Sequence, residues 1–234
     1  MSCLLTVTDL SYAYPDGHSA LKGISLHIGP GEKVGLVGSN GAGKSTLLLH
    51  LNGILQGSGE IEVDGHLVVP ENLGSIRSAV GLVFQDPDDQ LFSPTVFEDV
   101  AFGPLYMGLP DDEVRRRVVA ALESVGMEGK GSRVPHRMSL GEKKLVSIAT
   151  VLAMKPKLLA LDEPTAALDA RSRRRLTRVL QQLEVTIVVA THDLSLVSEV
   201  LGRTIVMDDG RLVADGPTRS ILSDSQLLRD HGLI

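Results

Sequence analysis

Nine consecutive residues offer phosphate chemistry: Gly38-Ser39-Asn40-Gly41-Ala42-Gly43-Lys44-Ser45-Thr46. They fit G-x-x-x-x-G-K-[ST], the spacing of a loop that cradles the phosphates of a nucleotide. Glycines let successive backbone N–H groups turn inward around phosphate oxygens. A helix that starts at the end of the loop adds its positive end. Lys44 supplies a cation toward the β- and γ-phosphates, and the Ser45 hydroxyl can ligate Mg²⁺. Further down the chain, Asp162-Glu163 closes the apolar run Leu158-Leu159-Ala160-Leu161. An acid at that place holds Mg²⁺ through its water shell, and the next one polarises an attacking water; these are the roles expected of Asp162 and Glu163. Gln85 and His192 end two other apolar runs in the same manner. Ligands of open α/β sheets bind just beyond such strand ends. His192 is placed to contact a γ-phosphate, and the plainer alternatives are a structural histidine and a surface glutamine at the start of a loop.

These side chains need elements to hold them. Residues 33–37 read as a short buried strand before the loop, and residues 46–52, mostly leucine, as the first turns of a helix after it. Residues 4–28 alternate around the turn Tyr12-Ala13-Tyr14-Pro15-Asp16-Gly17 and predict an antiparallel hairpin or meander. Tyr14 is the candidate to stack on an adenine ring, ahead of Tyr12, because aromatic faces bind flat bases well. The alternative is a pair of strand tyrosines, one facing in and one out. Residues 59–69 alternate around Asp64-Gly65, a hairpin signal. Residues 73–80 read as a connecting turn, and residues 80–84 as a buried strand that delivers Gln85.

From residue 86 to about 155 the texture changes. Pro87, Pro94, Pro104 and Pro110 predict a loop-rich stretch. Asp111 or Asp112 then reads as the N-cap of a helix carrying Val114, Val118, Leu122 and Val125, with Gly126 as its stop. A second helix is expected over residues 140–154 with Leu145, Ile148 and Leu152 on one face. The whole stretch reads as a mainly helical lobe, about 86–155, inserted in a core formed by residues 1–85 and 156–234. Residues 171–183 predict a helix with Leu176, Val179, Leu180 and Leu183 as its apolar stripe. Its five arginines read as a solvated face rather than a nucleic-acid patch. Residues 186–191 form another buried strand, and residues 204–214 a last hairpin around Asp208-Asp209-Gly210.

Composition narrows the classes. A chain of 234 residues suits one large domain, or one domain with an inserted lobe. The longest apolar runs, residues 47–55 and 186–190, fall far short of the ~18–20 residues of a membrane span. No basic region precedes the first apolar residues, so no signal peptide is expected. Cys3 is the single cysteine, which excludes an internal disulfide and a cysteine metal site, and fits a reducing cytosol. A net charge of −6 and the lack of tryptophan argue against nucleic acid as a partner. The seven histidines are scattered without an H-x-x-x-H spacing, so no substrate-metal site is expected in this chain.

The segment Arg137-Met138-Ser139-Leu140-Gly141-Glu142-Lys143-Lys144 resembles the signature of ATP-binding-cassette (ABC) ATPases, commonly L-S-G-G-Q. Tyr14, the phosphate loop, Gln85, this signature, Asp162-Glu163, Ala167-Leu168-Asp169 as a D-loop and His192 follow in the family's order over essentially the whole chain. The resemblance implies an α/β P-loop NTPase (RecA-like) core with an antiparallel β subdomain and an inserted helical lobe. It implies ATP and Mg²⁺ as cofactors, with Ser45, Gln85 and Asp162 toward the metal and Glu163, His192 and Gln85 in catalysis. It also implies a head-to-tail pair of ATPase subunits, here a homodimer. ATP is then held between the loop of one copy, with Tyr14 at the base, and Ser139 and Gly141 of the other, with Asp169 nearby. Met138, Leu140 and Glu142 depart from the usual leucine, glycine and glutamine.

A closer likeness lies in Phe84-Gln85-Asp86-Pro87-Asp88-Asp89-Gln90-Leu91-Phe92-Ser93-Pro94-Thr95-Val96 with Asp99-Val100-Ala101-Phe102-Gly103-Pro104, which is similar to the Q-loop region of energy-coupling-factor (ECF) transporter ATPases. This implies a lobe that grips a transmembrane scaffold subunit, which works with a substrate-binding membrane subunit, and a chain lying peripherally on the cytoplasmic face of the cell membrane. The ending Val213-Ala214-Asp215-Gly216-Pro217-Thr218 with His231-Gly232-Leu233 is similar to the cobalt- and nickel-importing branch. The expected function is ATP hydrolysis coupled to Ni²⁺ or Co²⁺ uptake. The alternatives are the same motor in a vitamin importer, such as one for biotin, and a soluble ABC ATPase of translation or DNA maintenance. The single cassette and the absence of sustained heptads argue against the last.

Overall fold

The computed structural model describes residues 3–234. In chain order its strands are β1 (Leu5–Ala13), β2 (Ser19–Ile28), β3 (Lys33–Val37), β4 (Ser58–Val63), β5 (His66–Leu67), β6 (Val80–Val83), β7 (Leu158–Asp162), β8 (Thr186–Thr191), β9 (Arg203–Asp208) and β10 (Arg211–Pro217). The helices are α1 (Lys44–Leu51), α2 (Leu73–Ala79), α3 (Val96–Tyr106), α4 (Asp111–Ser124), α5 (Leu140–Leu152), α6 (Ala170–Gln182), α7 (Leu194–Val200), α8 (Thr218–Ser223) and α9 (Ser225–Asp230). The chain divides into two compact units. The first takes the chain as far as Leu82, then Lys157–Glu163 and Val185–Ile234; the second takes Val83–Pro156 and Pro164–Glu184. The stretch Pro164–Glu184 thus groups with the helical unit, whereas the sequence reading assigned it to the core.

The first unit holds two sheets. One is four-stranded, in the order β2-β1-β4-β5; the other is six-stranded, in the order β10-β9-β3-β8-β7-β6. In the six-stranded sheet β9, β3, β8 and β7 run parallel. Leu158–Leu161 of β7 and all of β8 are buried, which is why they read as unbroken apolar runs rather than alternating ones. β10 lies at an edge, pairs antiparallel with β9, and shows the half-exposed alternation expected there. Arg203 secures this edge with a two-pronged bond to Asp215, both contacts 2.7 Å, and a third to Glu32 at 3.0 Å.

Three readings are corrected. Residues 73–80 do not form a turn: α2 occupies residues 73–79, entered through a 3-10 turn at Pro70–Asn72, and Val80 opens β6. Only Ile76 of α2 is buried, so no apolar period announces the helix. The N-cap of α4 is Pro110, not Asp111 or Asp112. The two acids are the first helical residues, where negative charge meets the positive helix end. The loop-rich reading of residues 86–110 also fails over Val96–Tyr106. Thr95 and Glu98 form a complete capping box that starts α3, and Pro104 falls in its last turn, where it removes one backbone donor but the helix still runs to Tyr106. Within the second unit α3, α4 and α5 pack on one another.

A buried carboxylate fixes the chain ahead of α3. Asp99 is 3% exposed, and its Oδ1 accepts the N–H groups of Phe92 at 3.1 Å and Ser93 at 2.9 Å. Asp99→Ala leaves both donors without their acceptor. It is expected to lower unfolding stability by about 1–3 kcal/mol, read as a lower midpoint in urea melts of the purified chain.

Candidate nucleotide site

Parallel register brings the phosphate loop and the acids to one sheet edge. Val37 stands opposite Thr191 on one side and Val206 on the other, while Asp162 stands opposite Ala190. β3, β8 and β7 therefore release Gly38, His192 and Glu163 side by side. Gly43 caps α1 in the left-handed region at φ +100°, and a Cβ there would lie 2.5 Å from the Ala20 carbonyl oxygen. Only glycine meets both demands. Ser39 and Asn40 lead to an exposed Gly41, while Ala42 is buried beneath the loop. The Lys44 ammonium is folded back into the loop, where it donates to the carbonyls of Gly38 at 2.8 Å and Ser39 at 3.0 Å. Burial lowers its pKa below the usual lysine value, and the carboxylates of Glu163 and Asp162 oppose that shift. Ser45 points to solvent; Thr46 is buried and its Oγ1 meets the Tyr14 hydroxyl at 3.0 Å.

Glu163 follows β7 in the left-handed region, with φ 42°, a conformation costly for a residue with a side chain. Its N–H donates to the Ala190 carbonyl at 2.8 Å. This bend turns the carboxylate inward instead of leaving it in solvent, and Glu163 is 7% exposed. Oε2 accepts the Thr191 hydroxyl at 3.0 Å; Oε1 accepts the His192 N–H at 3.1 Å and lies 2.8 Å from His192 Nδ1. Nδ1 is the donor in that pair, because an ionised carboxylate only accepts. The imidazole is otherwise mostly exposed. The Ser45 hydroxyl and the Asp162 carboxylate are oxygen donors, the chemistry that a hard cation such as Mg²⁺ takes.

The second unit gathers the other predicted residues. Ser139 is the N-cap of α5, and Glu142 completes a capping box with it: Glu142 Oε2 accepts the Ser139 N–H at 3.1 Å and hydroxyl at 3.2 Å. Arg133 holds the other carboxylate oxygen at 2.7 Å. Burial raises the Glu142 pKa, but the Ser139 N–H, the Arg133 guanidinium and the Ser139 hydroxyl outweigh it and leave the group below the usual glutamate value. A Cβ on Gly141 would stand 2.5 Å from the Ser172 hydroxyl oxygen, so glycine is what lets α5 approach α6. Asp169 caps α6, accepting the N–H groups of Arg171 at 2.8 Å and Ser172 at 2.9 Å. Ser139, Gly141, Glu142, Asp169, Arg171 and Arg175 all line an open cavity of about 500 Å³. Gln85 lies two residues past β6 and is exposed. The segment after it is bound to α5 through Gln90, which donates to the Ser147 carbonyl at 2.9 Å and Thr150 Oγ1 at 2.7 Å, and through the Asp88–Lys143 pair at 2.6 Å.

A family profile described as "ABC transporter" matches residues 21–166, more than half of the chain. The chain belongs to the ABC transporter ATPase family. It is 50% identical over 232 residues to the energy-coupling factor transporter ATP-binding protein EcfA of Methanothermobacter thermautotrophicus, a match that covers 97% of this chain and 75% of that one. Among solved structures it resembles cbiO1 of Clostridium perfringens, described as part of the ABC transporter complex cbiONQ, with a TM-score of 0.87 and 41% identity, covering 100% of this chain and 96% of that one. The ATP-binding cassette MJ0796, solved as a dimer in a post-hydrolysis state with ADP and Pi, aligns with a TM-score of 0.81 and 28% identity over 92% of this chain and 99% of that one. This chain is accordingly an ATP-binding subunit of an ABC transporter of the ECF type, and its ATPase uses ATP with Mg²⁺. Among its described residues no helix is long and apolar enough to cross a membrane.

Sequence reasoning missed Thr191, Gln90 and Arg133, which orient Glu163, the segment after Gln85 and Glu142. Nothing in their local pattern marks them. The capping box of Ser139 was legible, since S-x-x-E at a helix start is its signature. Lys44→Ala removes a charged donor from the loop and is expected to weaken ATP binding about 10- to 100-fold, measured by titration calorimetry. Glu142 yields a pH prediction. A carboxyl lowered in the fold adds stability above its unfolded value near 4.5, and that stability is lost as pH falls through the folded value. Glu142→Gln should therefore lose less stability than wild type between about pH 5 and about pH 3, measured by urea melts across that range.

Proposed function

We propose that this chain is the motor of an ECF-type importer that takes up Ni²⁺ or Co²⁺. The observation that carries the reading is the likeness to cbiO1, part of the transporter complex cbiONQ, along the whole chain. The C-terminal resemblance to the cobalt- and nickel-importing branch supports it. In this reading Gly38–Thr46 and Lys44 hold the phosphates, Tyr14 meets the adenine, and Ser45 and Asp162 would hold Mg²⁺. The metal supplies charge neutralisation at the β- and γ-phosphates. Glu163 polarises the attacking water, which suits a buried carboxylate kept oriented by Thr191 and His192. His192 also contacts the γ-phosphate. Ser139 and Gly141, with Asp169, act on the nucleotide of a second copy arranged head to tail, as a homodimer.

The ATPase pair drives membrane subunits from the cytoplasmic face. Phe92, Phe102, Leu105 and Tyr106 lie exposed on α3 and just before it, and Phe92 and Phe102 meet edge to face at 5.0 Å. An apolar group of this kind suits a transmembrane scaffold subunit.

Cells expressing this chain with its neighbouring membrane proteins are expected to take up labelled Ni²⁺ or Co²⁺, and Glu163→Gln is expected to abolish uptake. In the purified chain the same substitution should keep ATP binding, lower turnover at least 100-fold and trap the dimer. ATPase activity intact in the purified chain, without cellular uptake of either ion, would move the cargo to a vitamin such as biotin.

A further inference from the structure

α1 carries a polar ring where its neighbours are leucines. His50 is 1% exposed, between Leu47, Leu48 and Leu51 on the same buried helix. Its Nδ1 lies 2.7 Å from the Thr46 carbonyl and must donate to it, while Nε2 is buried with no hydrogen-bond partner. A leucine would fill this position without burying an unsatisfied nitrogen. Burial lowers the His50 pKa and the bond to Thr46 opposes the shift, which keeps the ring neutral with its proton on Nδ1.

The fixed ring has one use visible in its surroundings. Tyr12 meets it edge to face, with centroids 4.8 Å apart, and Tyr12 meets Tyr14 in the same manner at 5.1 Å. Tyr14 returns to α1 through its hydroxyl, 3.0 Å from Thr46 Oγ1. His50, Tyr12, Tyr14 and Thr46 thus close a ring of contacts. One side of that ring is the first turns of α1, which follow the phosphate loop directly; the other is the tyrosine read as the base platform. We propose that His50 is a positioning residue for nucleotide binding: its Nδ1–H bond to Thr46 sets the plane against which Tyr12 packs, and Tyr12 in turn sets Tyr14 for the base. The inference rests on Tyr14 as the base platform.

The test separates base from phosphate by comparing ATP with inorganic tripolyphosphate, which has no base, as ligands of the purified full chain. His50→Leu should weaken ATP about two- to tenfold and leave tripolyphosphate unchanged, the loss expected when an aromatic contact is misaligned. Tyr12→Leu, which leaves buried α1 intact, should show the same selective loss even where His50→Leu fails to fold. Adding either change to Tyr14→Leu should cause no further loss. If both His50→Leu and Tyr12→Leu weaken the two ligands equally, or neither, the inference is overturned. If Tyr14→Leu itself leaves the ratio of the two affinities unchanged, the base-platform reading falls; if Tyr14→Leu lowers that ratio and the other two variants do not, the His50 inference falls alone.

Discussion

The parallel pairing of β3, β8 and β7 is the constraint on which the site depends. Parallel strands carry all their C-terminal ends to one edge, and register decides which residues emerge together. Val37 opposite Thr191, and Asp162 opposite Ala190, leave no choice about the neighbours of the phosphate loop. A slip of one residue in β7 would turn every apolar side chain of Leu158–Leu161 to the wrong face and withdraw Glu163 from Thr191. The buried runs that make the sheet stable are therefore the same runs that aim the acids.

That edge concentrates charge in a region with little solvent. Lys44 and Glu163 are both nearly fully buried, and each is satisfied by its own polar partners: loop carbonyls for Lys44, the Thr191 hydroxyl and His192 for Glu163. Burying such groups without partners would cost several kcal/mol each. The carbonyls that Lys44 holds also keep the loop closed in its own shape. A phosphate would offer the ammonium stronger, charged acceptors, so in the proposed site a bound nucleotide would exchange one set of partners for another instead of exposing a bare charge.

The second unit solves a different problem, the start of a helix. The N-terminal N–H groups of α5 need acceptors, and Ser139 with Glu142 provides them. Glutamate in place of the family's usual glutamine adds a negative charge beside the signature serine, and Arg133 neutralises it at 2.7 Å. The departure at position 142 is thereby compensated within the fold. Leu140, the departure within the glycine pair, is exposed and packs no core.

Much of this was legible in the residues alone. The phosphate loop, the two hairpins at Asp64-Gly65 and Asp209-Gly210, the strand ends at Asp162 and Thr191, and the stripe of α6 follow from local chemistry: turn residues, apolar runs and helical spacing each act within a few positions. α2 and α3 were not legible, because one buried residue makes no period and a proline in a last turn looks like a proline in a loop. Tertiary structure alone decided the rest. The inward bend of Glu163, the grip of Thr191 and His192, the spacing of Gly141 against Ser172 and the His50–Tyr12–Tyr14 chain join residues distant in sequence, and a sequence read along its length holds no term for contacts that only folding creates.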